Sequence, residues 1–323
     1  MRSETFLITG GSGFLGRALI NRLIRIPEYS VIAPVRDAGT TFPPSVRPVV
    51  FDSLNADNDW QDVIKGADIV VHCAARVHVM NDTTADPLAA FREVNVDATL
   101  NLARQAAAAG VRRFIFISSI KVNGEGTEPN TVCNADDVPA PVDPYGISKL
   151  EAEQGLRLLA STTGMEIVII RPVLVYGPGV KANFLSMMRW LYHGVPLPFG
   201  AVRNRRSLVA IDNLVDLIVT CSEHPAAANQ VFLASDGEDV STTQLLRKLA
   251  GALGKPARLL PIPVWLMSGA ATLLGRKALS QRLFGSLQVD ISKNQQLLGW
   301  TPPVSLDNAL RLTAQHFLDT RRS

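Results

Sequence analysis

The sequence is short of the residues that build metal centres and disulfide frameworks. Its three cysteines, Cys73, Cys133 and Cys221, are odd in number, far apart and never in a Cys-x-x-Cys pair. That pattern excludes a disulfide scaffold and fits a reducing compartment. Its five histidines are scattered, with no His-x-x-x-His spacing, so no metal site is expected. Neither sign of charge dominates: the formal net charge is +3 over 323 residues, and no basic block is interleaved with aromatics. Nucleic acid and acidic membranes are therefore not the expected partners.

Long hydrophobic runs are missing as well. Residues 259–275 come nearest, almost wholly apolar and flanked by Arg258 and by Arg276-Lys277. The run contains Pro261 and Pro263 and is shorter than the ~20 residues a spanning helix needs. It predicts a buried or subunit-facing helix, with a membrane-surface helix as the alternative, and no integral membrane association. Met1-Arg2-Ser3-Glu4 leads directly into an apolar strand, so no signal peptide is expected and the expected location is cytoplasmic. There is no internal repeat and no low-complexity linker.

What the chain does have is apolar content, 47%, enough for a large core in about two domains or one elaborated one. Residues 5–9 are a short apolar run that passes into Gly10-Gly11-Ser12-Gly13-Phe14-Leu15-Gly16 and then into a stretch of helical period, 17–24. Gly10, Gly13 and Gly16 recur at every third position between a strand and a helix. Such a triplet serves a tight turn, a bare backbone for a pyrophosphate, and close packing of helix on strand. The helix N-terminus then offers free N–H groups to the phosphates.

Further strands are predicted at 30–36, 48–52, 68–75, 113–119 and 166–172, alternating with helical stretches at 60–66, at 88–110 (which contains Asn95) and from Tyr145. This alternation predicts an α/β fold of Rossmann type, a doubly wound parallel sheet. Beyond 175–179 it breaks into a helix at 183–192, a strand at 230–234 and a helix opened by Ser241, with Gly299 and Pro302-Pro303 ahead of the last helix. The expected organisation is a dinucleotide-binding domain at 1–174, rejoined by a segment near 207–236, and a smaller substrate-binding lobe from 175–206 and 237–323.

Ligands of such sheets bind at the carboxyl ends of the strands. Arg36 stands at the second such end, with Val35 rather than an acid before it. A guanidinium there suits a 2′-phosphate, so NADP(H) is expected over NAD(H), with NAD(H) possible. Asp52 ends the third strand, and the small Ala74-Ala75 follow the fourth. His72 is expected to be packed at its strand end rather than catalytic. Ser118 and Ser119 end the fifth strand. Tyr145 and Lys149 are four apart, so on a helix they share a face. An ammonium beside a phenol favours the phenolate and lowers its pKa, which suits proton transfer to or from a carbinol oxygen.

Together, Thr9 with the glycine run, Ser119, Tyr145-x-x-x-Lys149, Arg171-Pro172 and Tyr176-Gly177-Pro178 resemble the extended short-chain dehydrogenase/reductases of the nucleotide-sugar epimerase/dehydratase group, over essentially the whole chain. The resemblance implies that Ser119 hydrogen-bonds the reacting sugar oxygen, that Tyr145 is the acid/base, and that Lys149 holds the nicotinamide ribose. It places Gly10, Gly13, Phe14, Leu15, Gly16, Asp52, Ala74, Ala75, Asn95 and Pro172 among the cofactor contacts. It gives Asn183, Arg206 and Arg282 to a uridine-diphosphate substrate. The helix ending near Gly110 and the helix begun by Tyr145 resemble the pair that builds a four-helix homodimer interface.

Departures from the group narrow this. Sugar dehydratases carry Asp-Glu after the catalytic hydroxyl residue, where Ile120-Lys121 stand here. Galactose epimerases carry an Asn where Leu174 stands, and the acid that helps epimerases retain NAD is absent beside Arg36. In character the chain resembles O-antigen enzymes, labelled UDP-glucose 4-epimerase-like, that reduce UDP-4-keto-6-deoxy-N-acetylhexosamines. The expected function is hydride transfer between NAD(P) and C4 of a UDP-sugar, first as a 4-ketoreductase. The alternatives are a 4-epimerase with tightly bound NAD and, more remotely, a non-catalytic nucleotide sensor. Lys121, two residues past Ser119 on an extended strand end, would face the same side and donate to a sugar hydroxyl or N-acetyl oxygen.

Overall fold

Apolar, β-branched runs buried on both faces pair most readily as a parallel sheet covered by helices, and that is the frame of this chain. The structure, a computed structural model, describes residues 4–51, 53–77, 86–128, 131–273 and 283–321. Its strands are β1 (Glu4–Thr9), β2 (Tyr29–Val35), β3 (Val46–Val50), β4 (Ile69–His72), β5 (Arg113–Ile117), β6 (Glu166–Pro172), β7 (Leu174–Tyr176), β8 (Arg206–Ala210), β9 (Val231–Ala234) and β10 (Asp239–Val240). Seven of them form one sheet in the order β3-β2-β1-β4-β5-β6-β9, and β10-β8-β7 form a second. All pairings in the large sheet are parallel.

The strand order reverses between β1 and β4: the chain first steps outward to β3, then returns to the other side of β1. That reversal leaves a crevice at the carboxyl ends of β1 and β4, the usual ligand position in open α/β sheets. Helices α1 (Phe14–Leu23), α2 (Gln61–Ile64), α3 (Pro87–Arg92), α4 (Ala98–Ala108) and α5 (Pro144–Thr163) alternate with the strands. After β7, helix α6 (Ala182–Tyr192) enters a second hydrophobic cluster with Tyr176, Leu208, Leu246 and Phe317. The chain then rejoins the main core through α7 (Ile211–Glu223), whose Leu214, Leu217 and Ile218 are fully buried, and through β9. The lobe adds α8 (Thr242–Ala252), α9 (Val264–Leu273) and two further helices, Ser292–Leu298 and Leu306–Asp319.

Four local expectations change. β3 lies at Val46–Val50, two residues earlier than expected, and the helix expected over 60–66 is the single turn Gln61–Ile64. The stretch 88–110 is not one helix: a π-helical turn, Glu93–Asp97, separates α3 from α4. A π turn inserts an extra residue into the helical ladder and occurs often at functional sites; here it turns Asn95 inward to a buried position. Of the apolar run 259–275, expected to be buried or subunit-facing, residues 259–269 are not buried in the chain. Its residues from Val264 to Leu273 form α9, on which Trp265 is 72% and Leu266 47% exposed.

Helix α5 is fixed most firmly. Asp143 caps it, its carboxylate accepting from the Gly146 N–H at 2.7 Å, with Pro144 in the first turn. Further along, Glu153 is buried and forms a two-pronged pair with Arg171 of β6, at 2.9 Å to Nε and 2.6 Å to Nη2. Ser118 donates to the same carboxylate at 2.5 Å. Arg171 also donates to Asn123 Oδ1 at 3.0 Å and to the Ala135 carbonyl at 3.4 Å. Removing one member of such a pair strands the other charge in the core. Glu153→Ala is accordingly expected to lower the unfolding free energy by ~3–5 kcal/mol, read from denaturant midpoints at unchanged slope. A loss under ~1 kcal/mol would show that the pair does not anchor the helix.

Candidate active site

At the β1–β4 crevice the first turn is set by Gly10, whose φ of +69° is a left-handed conformation that side-chain-bearing residues rarely take. A Cβ on Gly10 would lie 2.9 Å from the Ala74 nitrogen, and one on Gly16 would collide with the Gly10 carbonyl oxygen. The turn is thus packed so closely against the residues after β4 that only bare backbone fits. Gly13 begins α1 without any side-chain cap, which leaves first-turn N–H groups for an anion. These features fit a dinucleotide pyrophosphate. Thr9 and His72 end the two strands in register, joined by a 2.8 Å hydrogen bond between Thr9 Oγ1 and His72 Nδ1. His72 Nε2 pairs with Thr99 Oγ1 at 3.0 Å. Burial, with Lys149 nearby, pushes His72 down to about 3; it is a neutral strut, as its strand-end position implies.

One strand over, Ser119 follows β5 and accepts from the Lys121 N–H at 3.2 Å, closing the 3-10 turn Ile120–Val122. Its hydroxyl is close enough to the Tyr145 phenol to hold that group's pKa down. Lys149, one helical turn beyond Tyr145, is buried and donates to the Ile117 carbonyl at 2.9 Å. Its ammonium lies 4.4 Å from the centre of the Phe116 ring, a cation–π contact. Burial lowers Lys149 to about 8, with Glu153 and Cys73 opposing the shift. Ser119, Tyr145 and Lys149 therefore converge where β4 and β5 end. Pro172 closes β6 beside them.

Asn95 is bound on all sides. It accepts from the Arg76 N–H at 2.9 Å and donates to the Arg76 carbonyl at 3.1 Å and to Ser148 Oγ at 3.0 Å. Both its N–H groups are used, so its part is to clamp the loop after β4 to α5. Leu15 and Phe14 lie partly buried at the start of α1.

Two electrostatic expectations are corrected. Tyr145 is not drawn down by Lys149: burial, then the Asp143 carboxylate, push it up to about 12, with the Ser119 hydroxyl opposing. The reason is geometric, since the Lys149 ammonium is held on the Ile117 carbonyl and the Phe116 ring. Lys121 is not on an extended strand end. It sits in the 3-10 turn, and its Nζ is held by Glu125 at 3.1 Å and by Asp143. The carboxylate that Lys121 neutralises is the cap of α5, two residues from Tyr145.

The remaining candidates are dispersed. Asn183 is exposed as the second residue of α6, directly after Ala182, which has a φ of +52°. Arg206 opens β8, its pKa lowered by burial, and donates to the Gly285 carbonyl at 3.1 Å. Arg36 is exposed just past β2. Asp52 and Arg282 lie outside the described residues. A groove of about 670 Å³ opens beyond Phe14, lined by Arg17, Lys181, Asp212 and His316, and does not reach Tyr145. Among the described residues, no group of His, Cys, Asp and Glu is arranged to hold a metal ion. Sequence reasoning missed Glu153 and Asp143. The signal for the first was present, because Tyr145, Lys149 and Glu153 recur every fourth residue and share one helical face.

A glycine turn at the sheet's switch point, with a serine, tyrosine and lysine on the adjoining strand end and helix, defines a nicotinamide-dependent oxidoreductase of the short-chain type. Residues 6–234 match the NAD dependent epimerase/dehydratase family. The chain is 52% identical over 316 residues to a UDP-glucose 4-epimerase of Vibrio cholerae, covering 98% of this chain and 96% of that one. It superposes on a UDP-glucuronic acid 4-epimerase of Bacillus cereus in complex with NAD, with a TM-score of 0.79 and 22% identity over 98% of both chains. It also superposes on MoeE5 in complex with UDP-glucose and NAD, with a TM-score of 0.77 and 25% identity over 99% of this chain and 100% of that one. The chain is an enzyme of the NAD dependent epimerase/dehydratase family. The preference for NADP drawn from Arg36 finds no support in these relatives.

Lys121 also yields a pH test. The Asp143 carboxylate raises Tyr145, so losing the ammonium that neutralises Asp143 should raise it further. If Tyr145 is the base that oxidises an alcohol, activity in that direction climbs as pH approaches the Tyr145 pKa. Lys121→Met is expected to move that rising limb to higher pH by roughly half a unit. A profile that stays in place while KM for the sugar nucleotide rises would return Lys121 to substrate binding.

Proposed function

We propose that the chain is a UDP-hexose 4-epimerase working with retained NAD, UDP-glucose and UDP-galactose being the first substrate pair to consider. The observation that carries this is the placing of Ser119, Tyr145 and Lys149 together at the strand end next to the glycine turn, in a chain half identical to a protein of that activity. In this reading Tyr145 takes the proton from the C4 hydroxyl while Ser119 holds the same oxygen. NAD held at the Gly10–Gly16 turn would supply hydride acceptor and donor chemistry at C4. Tyr145 then gives the proton back. Phenolate formation in so buried a site needs positive charge nearby, which the oxidised cofactor would bring. Lys149 is assigned to the cofactor ribose, and Asn183 and Arg206 to the diphosphate side. Leu174, half exposed after β6, stands in the region that would select the sugar.

A UDP-4-keto-hexose 4-reductase would use the same three residues. The exposed Arg36, with no acid at Val35, favours that second reading, because nothing there clamps a ribose 2′-hydroxyl and the cofactor would exchange. The two readings separate in one experiment. The purified enzyme, with no cofactor added, is expected to interconvert UDP-glucose and UDP-galactose. Turnover seen only with a 4-keto sugar and added NADPH would overturn the epimerase in favour of the reductase. In either case Tyr145→Phe should cut turnover by ~10²–10⁴ with the melting transition retained, and wild-type turnover in that variant would remove Tyr145 from the chemistry.

A further inference from the structure

The charge of this chain is unevenly distributed. Between Asp239 and Asp290 there is no acidic residue at all, whereas Arg247, Lys248, Lys255, Arg258, Arg276, Lys277 and Arg282 give that stretch a charge of +7 in a chain of net +3. The rest of the protein is therefore net negative, and a balanced total conceals a basic stretch of sequence. Lys248 is paired, with Glu238 and Asp307. Among the described residues, Arg258 and Lys255 have no carboxylate partner in ion-pair range.

In the middle of this basic stretch is α9, Val-Trp-Leu-Met-Ser-Gly-Ala-Ala-Thr-Leu. It has no charged residue, and of its residues 264–269 none is buried. The ladder that leads to it, Arg258 to Leu260, is hydrogen-bonded along Leu197. Immediately before Leu197 are Val195, 40% exposed, and the end of α6 with Trp190, 46% exposed. Two exposed tryptophans, two exposed leucines and a valine thus lie on two lengths of chain joined by this ladder, beside Arg258 and beside Lys255, whose ammonium lies over the Tyr192 ring. Residues 264–269 of this uncharged helix, none of them buried, gain little from packing on their own chain and call for an apolar medium outside it.

We propose that this end of the lobe, formed by Trp190, Val195, Arg258, Leu260, Trp265 and Leu266, seats the enzyme on an anionic bilayer surface. Charge selects the occupant. A second copy would bring an equally basic stretch against this one, and like charges across a contact oppose association. An anionic headgroup layer complements the lysines and arginines, while tryptophan and leucine suit the headgroup–acyl boundary. No described helix is long and apolar enough to cross a membrane, so the contact is peripheral. It goes beyond the catalytic reading and does not depend on which sugar is turned over.

The test is sedimentation of the full-length protein with vesicles of equal parts phosphatidylglycerol and phosphatidylcholine, beside vesicles of phosphatidylcholine alone. Binding to the anionic vesicles is expected, weakening as salt rises. It should fall by about tenfold or more in the double variant Trp265→Asp, Leu266→Asp and in Arg258→Glu. Turnover of the sugar nucleotide in free solution should be unchanged in these variants, which checks their fold. Failure of the native protein to bind anionic vesicles overturns the proposal, as does binding that the double variant retains. If the native protein ignores vesicles and the double variant halves its mass in light scattering, the face is an interface between copies and the proposal is wrong.

Discussion

The buried pair between Glu153 and Arg171 is the constraint on which the candidate active site depends. Tyr145, Lys149 and Glu153 lie on one face of α5, and Glu153 at the inner end is locked to β6 while accepting from Ser118 of the β5 end. One carboxylate thereby fixes the helix that carries the tyrosine and lysine against the strand end that carries Ser119. Arg171 extends the same network to Asn123 and Ala135, so the loop after Ser119 is held as well. A charge pair so deeply buried adds little net stability over apolar packing. Its value here is positional: it admits one register of helix on sheet, and the phenol meets the serine only in that register.

A second layer tunes the site. Burial raises Tyr145 and lowers Lys149, so the frame keeps the phenol protonated and brings the lysine near neutrality. Asp143 pushes the phenol the same way as burial, and Lys121 with Glu125 decides how much of that carboxylate's charge the phenol feels. Thr9, His72 and Thr99 form a neutral hydrogen-bonded line beneath the crevice, which holds the ends of β1 and β4 together without adding charge. Asn95, turned inward by its π turn, does the same for the loop after β4 and for α5.

Much of this was legible in the residues because the signals are local. The strand–glycine–helix run at the start of the chain, the hydroxyl at the end of β5 and the four-residue spacing of Tyr145 and Lys149 each fix a piece of geometry within one element. What the sequence did not convey was long-range or collective. Nothing near Glu153 names Arg171 as its partner, eighteen residues on and in another layer. Lys121 looked extended because it follows a strand, but the Ser119 hydroxyl captures its N–H and bends the chain into a turn. The 88–110 stretch has an unbroken helical composition, and only the tertiary demand for Asn95 explains the π turn. Residues 259–275 were expected to be buried or subunit-facing because apolar helices usually are; the structure leaves 264–269 unburied within the chain.

The central claim is that the hydride removed from C4 is kept within the site and returned to the same carbon, with Tyr145 moving only the proton. The most direct measurement is to convert UDP-glucose deuterated at C4 in ordinary water, with no cofactor added, and to locate the label in the UDP-galactose formed. The account predicts that the deuterium is retained at C4. Replacement of the C4 label by solvent hydrogen, or an absence of conversion until reduced nicotinamide is supplied, would contradict it.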